Sequence, residues 1–233
     1  MKNYRTRKEL KKDVKRLFKK DLEKVLLLYM IPILFFVMLT FYERVSFNNL
    51  SVIYDYNYFM FNILKKSFFL LIIGLLYLVL QQSVYFRSLD WLRDPELDFS
   101  PIKSNFTYYR NPDWWRIIVI SFIKGFFTYL WLLLLVIPGC IKVLSYSQTM
   151  YVYKDIQARG DGDKYTFTDY ITKSRQLMDG NKWRYFVLQL SYIGWFLLGS
   201  ITFGIAYIWV IPYISMTNAN FYKDLVEQNP EIV

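Results

Sequence analysis

Charged residues are missing from four stretches of the chain, 25–42, 67–86, 125–141 and 185–222. Apolar runs of this length read as membrane helices, since about 20 residues cross the roughly 30 Å hydrocarbon core. The stretch 185–222 holds 38 uncharged residues. As one helix it would run to about 57 Å, so it is expected to fold back as a hairpin. Its turn is legible at Gly199-Ser200-Ile201-Thr202-Phe203-Gly204, where two glycines and two hydroxyl residues interrupt bulky apolar positions. The same length argument applies to 116–153, in which Lys124 and Lys142 are the only charges after Arg116. Its turn falls either near Tyr129–Trp131 or at Pro138-Gly139. Six spans are therefore predicted, near 25–42, 67–86, 116–135, 138–155, 184–199 and 203–222.

Composition agrees with that pattern. Of the 233 residues 55% are hydrophobic and 21% aromatic, above the roughly 50% apolar usage of soluble domains. A single cysteine excludes an internal disulfide framework, and the lack of histidine excludes the usual zinc sites and imidazole acid–base chemistry. The first apolar stretch is not read as a cleaved signal peptide, because 24 strongly charged residues precede it and further spans follow. The net charge of +10 is unevenly placed: residues 1–24 carry eleven cations against four acids, and the connections 87–116 and 154–184 carry five and seven cations. The other side has only Arg44, Lys65 and Lys66. This bias predicts a multi-pass protein of the cell membrane with both termini cytoplasmic.

An internal repeat organises the second half. Phe99-Ser100 precedes Trp115-Arg116 by 16 residues, and Phe167-Thr168 precedes Trp183-Arg184 by the same 16. Val136-Ile137-Pro138 then leads to Tyr153-Lys154-Asp155, as Val210-Ile211-Pro212 leads to Tyr222-Lys223-Asp224. Ser100, followed by Pro101, and Thr168, followed by Asp169, are the expected caps of a short cytoplasmic helix in each copy. At the N-terminus Thr6 and Glu9 fit a capping box. Leu10, Val14, Leu17 and Phe18 share one helical face, with Lys11, Lys15 and Lys19 among the cations on the rest. That basic helix is expected to meet anionic headgroups of the inner leaflet. The predicted fold is all-α: six transmembrane helices as three hairpin units, each preceded by a cytoplasmic interfacial amphipathic helix. They form a single polytopic domain over 1–233, comprising the basic helix 1–24 and hairpin units 25–98, 99–157 and 167–226.

Three separate runs occur in order: Ile137-Pro138-Gly139-Cys140-Ile141-Lys142-Val143-Leu144-Ser145-Tyr146-Ser147, Ser174-Arg175-Gln176-Leu177-Met178-Asp179-Gly180-Asn181-Lys182-Trp183-Arg184, and Ser191-Tyr192-Ile193-Gly194-Trp195 with Ile211-Pro212-Tyr213. With them the chain resembles the bacterial integral membrane family catalogued as domain of unknown function nine-seven-five, from Thr6 to Leu225. The resemblance implies a six-span protein of Gram-positive bacteria. It implies no activity and no catalytic residues.

Each candidate site has a plain alternative. Lys124 and Lys142 lie in apolar surroundings, where a cation either holds a lipid phosphate or carboxylate or simply snorkels to the interface. Gln148, Gln189 and Asn218 are the expected hydrogen-bond donors of such a site. They belong, with Ser145, Ser147, Thr149, Thr217, Asn220, Gln81 and Gln82, to a polar series that either lines a hydrophilic path or joins helices. Pro32, Pro138 and Pro212 are expected to kink helices and free a carbonyl. Trp91, Trp114, Trp115 and Trp183 fall at the predicted cytoplasmic interface and Tyr54, Tyr56, Tyr58 and Phe59 at the outer one, as aromatic belts do, with no cofactor required. Asn105-Phe106-Thr107 matches a glycosylation acceptor but lies on the cytoplasmic side. The basic arm is fused to a span with a clean amphipathic period, which favours a membrane surface over nucleic acid.

Three function classes follow. The first is a non-catalytic membrane protein binding a lipid, a peptide or a membrane-protein partner, in assembly, export or toxin immunity. The second is a transporter or channel component for a small or anionic solute, which repeated hairpins permit but which lacks a membrane carboxylate for coupling. The third is a lipid-modifying enzyme, for which no constellation is present. The sequence leaves ligand, partner, process and oligomeric state open.

Overall fold

The computed structural model describes residues 3–50 and 56–233, with side chains of Glu43, 45–50 and 56–59 also undescribed. Among the described residues all regular structure is helical, and three helices are long and apolar enough to cross a membrane: Leu22–Tyr42, Met60–Arg93 and Trp114–Leu134. The chain is thus a membrane protein. Tyr54 lies outside the described residues, as do the side chains of Tyr56, Tyr58 and Phe59, so the expected outer aromatic belt falls there.

Helix α1 (Arg7–Lys20) starts at the expected capping box, with the Thr6 amide donating to Glu9 Oε2 at 2.7 Å. Asp21 ends it and begins the next, its Oδ1 accepting the Lys24 amide at 2.9 Å. The apolar face of α1 is not left for lipid. Leu10, Val14 and Leu17 are buried in the protein core and Phe18 meets Tyr213 edge-on at 6.3 Å, while the Lys15 and Lys19 face stays outward. A protein surface covers the stripe that amphipathicity alone would assign to a membrane.

The first hairpin pairs α2 (Leu22–Leu50) with α3 (Tyr56–Arg93). Phe35 stacks on Tyr77 at 5.2 Å, and the Tyr29 and Ser88 hydroxyls meet at 2.8 Å. Pro32, inside α2, removes the amide that would bond the Leu28 carbonyl. That carbonyl is not free for a ligand: Asn105 Nδ2 donates to it at 3.1 Å. Asn105 is fully buried, just past the four-residue α4 (Pro101–Ser104), so it is not a glycosylation acceptor. Ser100 sits at the N-cap of α4 with Pro101 behind it, as expected, although its hydroxyl makes no capping bond.

Helix α5 (Trp114–Leu134) turns at Leu135 into α6 (Val136–Ser145). The turn lies between the two positions that the sequence allowed. It is tight because Gly139 packs on Leu132: a Cβ there would stand 2.8 Å from the Leu132 Cα. Pro138 lies in the first turn of α6, where no helical bond is lost.

The fourth and fifth predicted spans are not continuous helices. The fourth is divided between α6 and α7 (Thr149–Ala158), the fifth between α9 (Lys182–Leu190) and α10 (Ile193–Ile201). Both interruptions fall at a Leu-Ser-Tyr triplet, Leu144-Ser145-Tyr146 and Leu190-Ser191-Tyr192. There serine hydroxyls compete for helix carbonyls: Ser145 donates to Ile141 at 2.8 Å, Ser147 to Leu144 at 2.7 Å and Ser191 to Leu188 at 2.5 Å. Between these helices, α8 (Phe167–Leu177) is capped by Thr166, which forms a capping box with Asp169, and not by Thr168. The aligned position was two residues too late, because the acid three residues after the cap fixes the start.

After α10 the chain turns where the glycines predicted. Phe203 and Gly204 take φ of +51° and +92°, and the Gly204 amide reaches the Gly199 carbonyl at 2.8 Å, before α11 (Tyr207–Gln228) begins.

Candidate binding site

Three half-open spaces among the described residues carry polar or charged groups. The first is a cavity of about 290 Å³ between α2, α3, α10 and α11. Pro32, Ile33, Phe36, Phe196, Ile211 and Ile214 make its apolar walls, and Tyr29, Tyr77, Gln81, Tyr85 and Ser215 its polar one. The Tyr85 hydroxyl faces Ser215 and Gln81. No charged residue lines it. The proline in α2 helps shape this cavity, its ring replacing a hydrogen-bonded turn at the wall. A second, wider groove of about 480 Å³ runs along the opposite flank of Ile33, from Leu22 to Leu34 and Ile208, with Glu23 as its single charge.

The charged end of the bundle is closed by ion pairs that the two Tyr-Lys-Asp motifs supply. Asp155 takes both guanidinium nitrogens of Arg93, at 2.7 and 2.6 Å, and the Tyr222 hydroxyl at 2.8 Å. Lys154 pairs with Asp90. Asp224, 1% exposed, accepts the Arg5 amide at 3.1 Å and Nε at 3.2 Å, and pairs with Arg184. Arg5 continues to Asp13 at 2.9 Å and Glu227 at 3.0 Å. The repeated aspartates thus tie the N-terminal arm, α3 and α9 together. Between these groups lies a third space of about 300 Å³, lined by Arg5, Arg16, Lys20 and Lys223 against Asp13 and Glu96.

The residues singled out in the sequence are dispersed. Gln189 Nε2 donates to Asn218 Oδ1 at 2.9 Å, joining α9 to α11. Gln148 sits elsewhere: its amide donates to Ser174 Oγ at 3.2 Å and its side chain to Ser147 at 2.8 Å, leaving Oε1 buried without a partner. Lys142 lies over the Trp131 ring at 4.5 Å, and the charges that act on it are those of Arg175 and Lys182. Lys124 is half-buried with no ion pair or hydrogen bond from its ammonium among the described residues. The two lysines and three amides therefore do not share one hydrogen-bonded site. Thr217 and Asn220 bond internally, to Tyr213 O at 2.6 Å and Leu10 O at 3.0 Å.

Among the interface residues, Lys11 donates to Ser191 Oγ at 2.7 Å and covers the Tyr192 ring at 5.0 Å. Burial, then the charges of Arg7 and Lys15, lower its ammonium below the ordinary lysine value. Trp115 and Trp183 are exposed, Trp183 at 72%, against Phe167 and Phe186. Trp91 departs from the expectation. It is 2% exposed, packed edge-on against Phe99 with Lys24 of α2 over its ring.

Residues that sequence reasoning passed over include Tyr29, Tyr77, Tyr85 and Ser215, which read as ordinary membrane aromatics and a small residue. Asp155 and Asp224 carried a signal, the repeated Tyr-Lys-Asp, without naming their partners Arg93, Arg5 and Arg184.

Residues 132–229, from the end of α5 through α11, match the family described as Protein of unknown function (DUF975), the same family that the motifs resemble. No curated protein and no solved structure matches the chain.

Proposed function

We propose that this chain is a non-catalytic integral membrane protein that binds a neutral lipid or an apolar peptide segment in the cavity between α2, α3, α10 and α11. The observation that carries this reading is a space of about 290 Å³ with apolar walls and one hydroxyl- and amide-bearing side. Membrane-facing pockets of this kind suit an uncharged amphiphile, whose polar group takes the few hydrogen bonds and whose chain fills the rest. A role in membrane assembly, export or toxin immunity fits a binder of this kind.

In this reading the six apolar segments form three hairpins that cross the membrane, with both termini and the ion-paired end cytoplasmic and the outward face of α1 toward anionic lipid. Cysteine labelling tests the topology, in a Cys140→Ser background because Cys140 is exposed. A cysteine at Ser200 reacts with an impermeant reagent in intact cells and one at Asp163 does not; the reverse pattern overturns the arrangement. For binding, the purified protein is examined by native mass spectrometry. The Gln81→Leu, Tyr85→Phe, Ser215→Ala triple variant is expected to lose a co-purifying neutral lipid or peptide that the parent retains. Equal retention refutes the cavity as the site.

A transporter is the second reading, favoured by the interrupted helices α6–α7 and α9–α10. Against it, serine hydroxyls already occupy carbonyls at both interruptions. Solute flux into vesicles containing the purified protein discriminates the two.

A further inference from the structure

We infer that Lys142, Arg175 and Lys182 form a second binding site, for the phosphate of an anionic phospholipid. The site is separate from the uncharged cavity, and it rests on the membrane reading alone. Three helices bring these cations together. The Ser174 hydroxyl on α8 donates to Ser145 O on α6 at 2.8 Å, which sets the neighbouring Arg175 beside the last turn of α6, and α6 also packs on α9, whose first residue is Lys182. The charges of Arg175 and Lys182 both reach Lys142, and among the described residues its ammonium forms no ion pair with a carboxylate. Arg175 is exposed and Lys142 and Lys182 are half-buried, so an anion that approaches from outside the bundle is attracted by all three.

Two further observations point to the same ligand. The N-terminus of α9, a nine-residue helix, receives no side-chain cap from Asn181, so its first amides and its dipole add positive potential beside Lys182. The one acid nearby, Asp179, pairs with Lys182 at 3.3 Å but is itself largely exposed, and it leaves Arg175 and Lys142 without a carboxylate partner among the described residues. The flanks are apolar and open: Ile141 and Val143 on α6 and Trp183 on α9 are exposed. A soluble phosphate has no use for those flanks, whereas the acyl chains of a lipid cover them. Lys142, with Trp131 beneath its ammonium, is thus held at the edge of the apolar zone facing two other cations rather than paired with Lys124.

The test uses the full chain purified in detergent and titrated with phosphatidylglycerol, phosphatidylcholine or inorganic phosphate, with adducts read by native mass spectrometry. The parent is expected to retain phosphatidylglycerol in preference to phosphatidylcholine. Lys142→Gln and Arg175→Gln each weaken retention about fivefold, the factor for losing one cation near a headgroup, and Lys124→Gln leaves it unchanged. Tryptophan fluorescence melting verifies that each variant is folded, and the neutral ligand of the cavity is retained in all of them. The inference is overturned if a variant carrying both Lys142→Gln and Arg175→Gln holds phosphatidylglycerol as well as the parent does, or if phosphatidylcholine binds equally. Full displacement by millimolar inorganic phosphate overturns the lipid assignment in favour of a free-anion site.

Discussion

Replacing Asp155 by asparagine tests the claim that the repeated aspartates hold the charged end together. Asp155 is 6% exposed and receives three hydrogen bonds, two from Arg93 and one from Tyr222. The amide keeps the shape but loses the charge, and one end of it presents N–H groups to donors. With its oxygen in the place of Oδ2 the amide still accepts from the buried Tyr222 and from one Arg93 nitrogen, but as a neutral acceptor, a weakening of about 1 kcal/mol. Its N–H groups then face the other Arg93 nitrogen, which loses its acceptor. The Arg93 side chain is 34% exposed and can turn toward water, so its share falls well below the 3–5 kcal/mol of a fully buried broken pair. We expect about 2 kcal/mol in total. Equilibrium unfolding of the detergent-solubilised protein in SDS, followed by tryptophan fluorescence, measures it. A double-mutant cycle with Tyr222→Phe should show coupling of about 1 kcal/mol, because both changes act on the same bond. A loss under 0.5 kcal/mol for Asp155→Asn, or additive single variants, would refute the reasoning.

Three other expectations follow from local geometry. Asn105→Leu removes the donor to the Leu28 carbonyl beneath Pro32 and should cost about 1–3 kcal/mol in the same unfolding assay. Gly139→Ala, which brings a Cβ against the Leu132 backbone, should cost about 1–3 kcal/mol, whereas Gly125→Ala on the open side of α5 should be neutral or better. At Glu9, the bonds from the Thr6 amide and hydroxyl hold the carboxyl below its ordinary value. Its contribution is therefore complete above the ordinary carboxylate pKa and is lost as the pH falls through the lowered one, which hydrogen exchange of the α1 amides should register as lower protection in acid, relative to the intrinsic exchange rate at each pH.

Much of the architecture follows from local rules, which is why it can be read along the chain. Charge-free runs placed the apolar helices, since a membrane core admits few charges. Thr6 with Glu9 marked the start of α1, and Gly199 to Gly204 marked the third turn, because capping and positive φ depend on a few adjacent residues. Other features depended on what came to lie opposite. The amphipathic stripe of α1 requires an apolar neighbour, but periodicity does not say whether lipid or protein provides it; α11 does. Pro32 announces a lost hydrogen bond without naming Asn105, which is 77 residues from the carbonyl it satisfies. Lys142 reads as an isolated intramembrane cation until α8 and α9 place Arg175 and Lys182 beside it. The Leu-Ser-Tyr triplets were visible, yet a serine breaks a helix only where packing rewards the bend. Composition and spacing determine which segments become helices and which faces are apolar, because those follow from interactions within a few residues. Which partner covers each face, and which charge meets which, was decided only in the folded bundle, where residues distant in sequence share the same few ångströms.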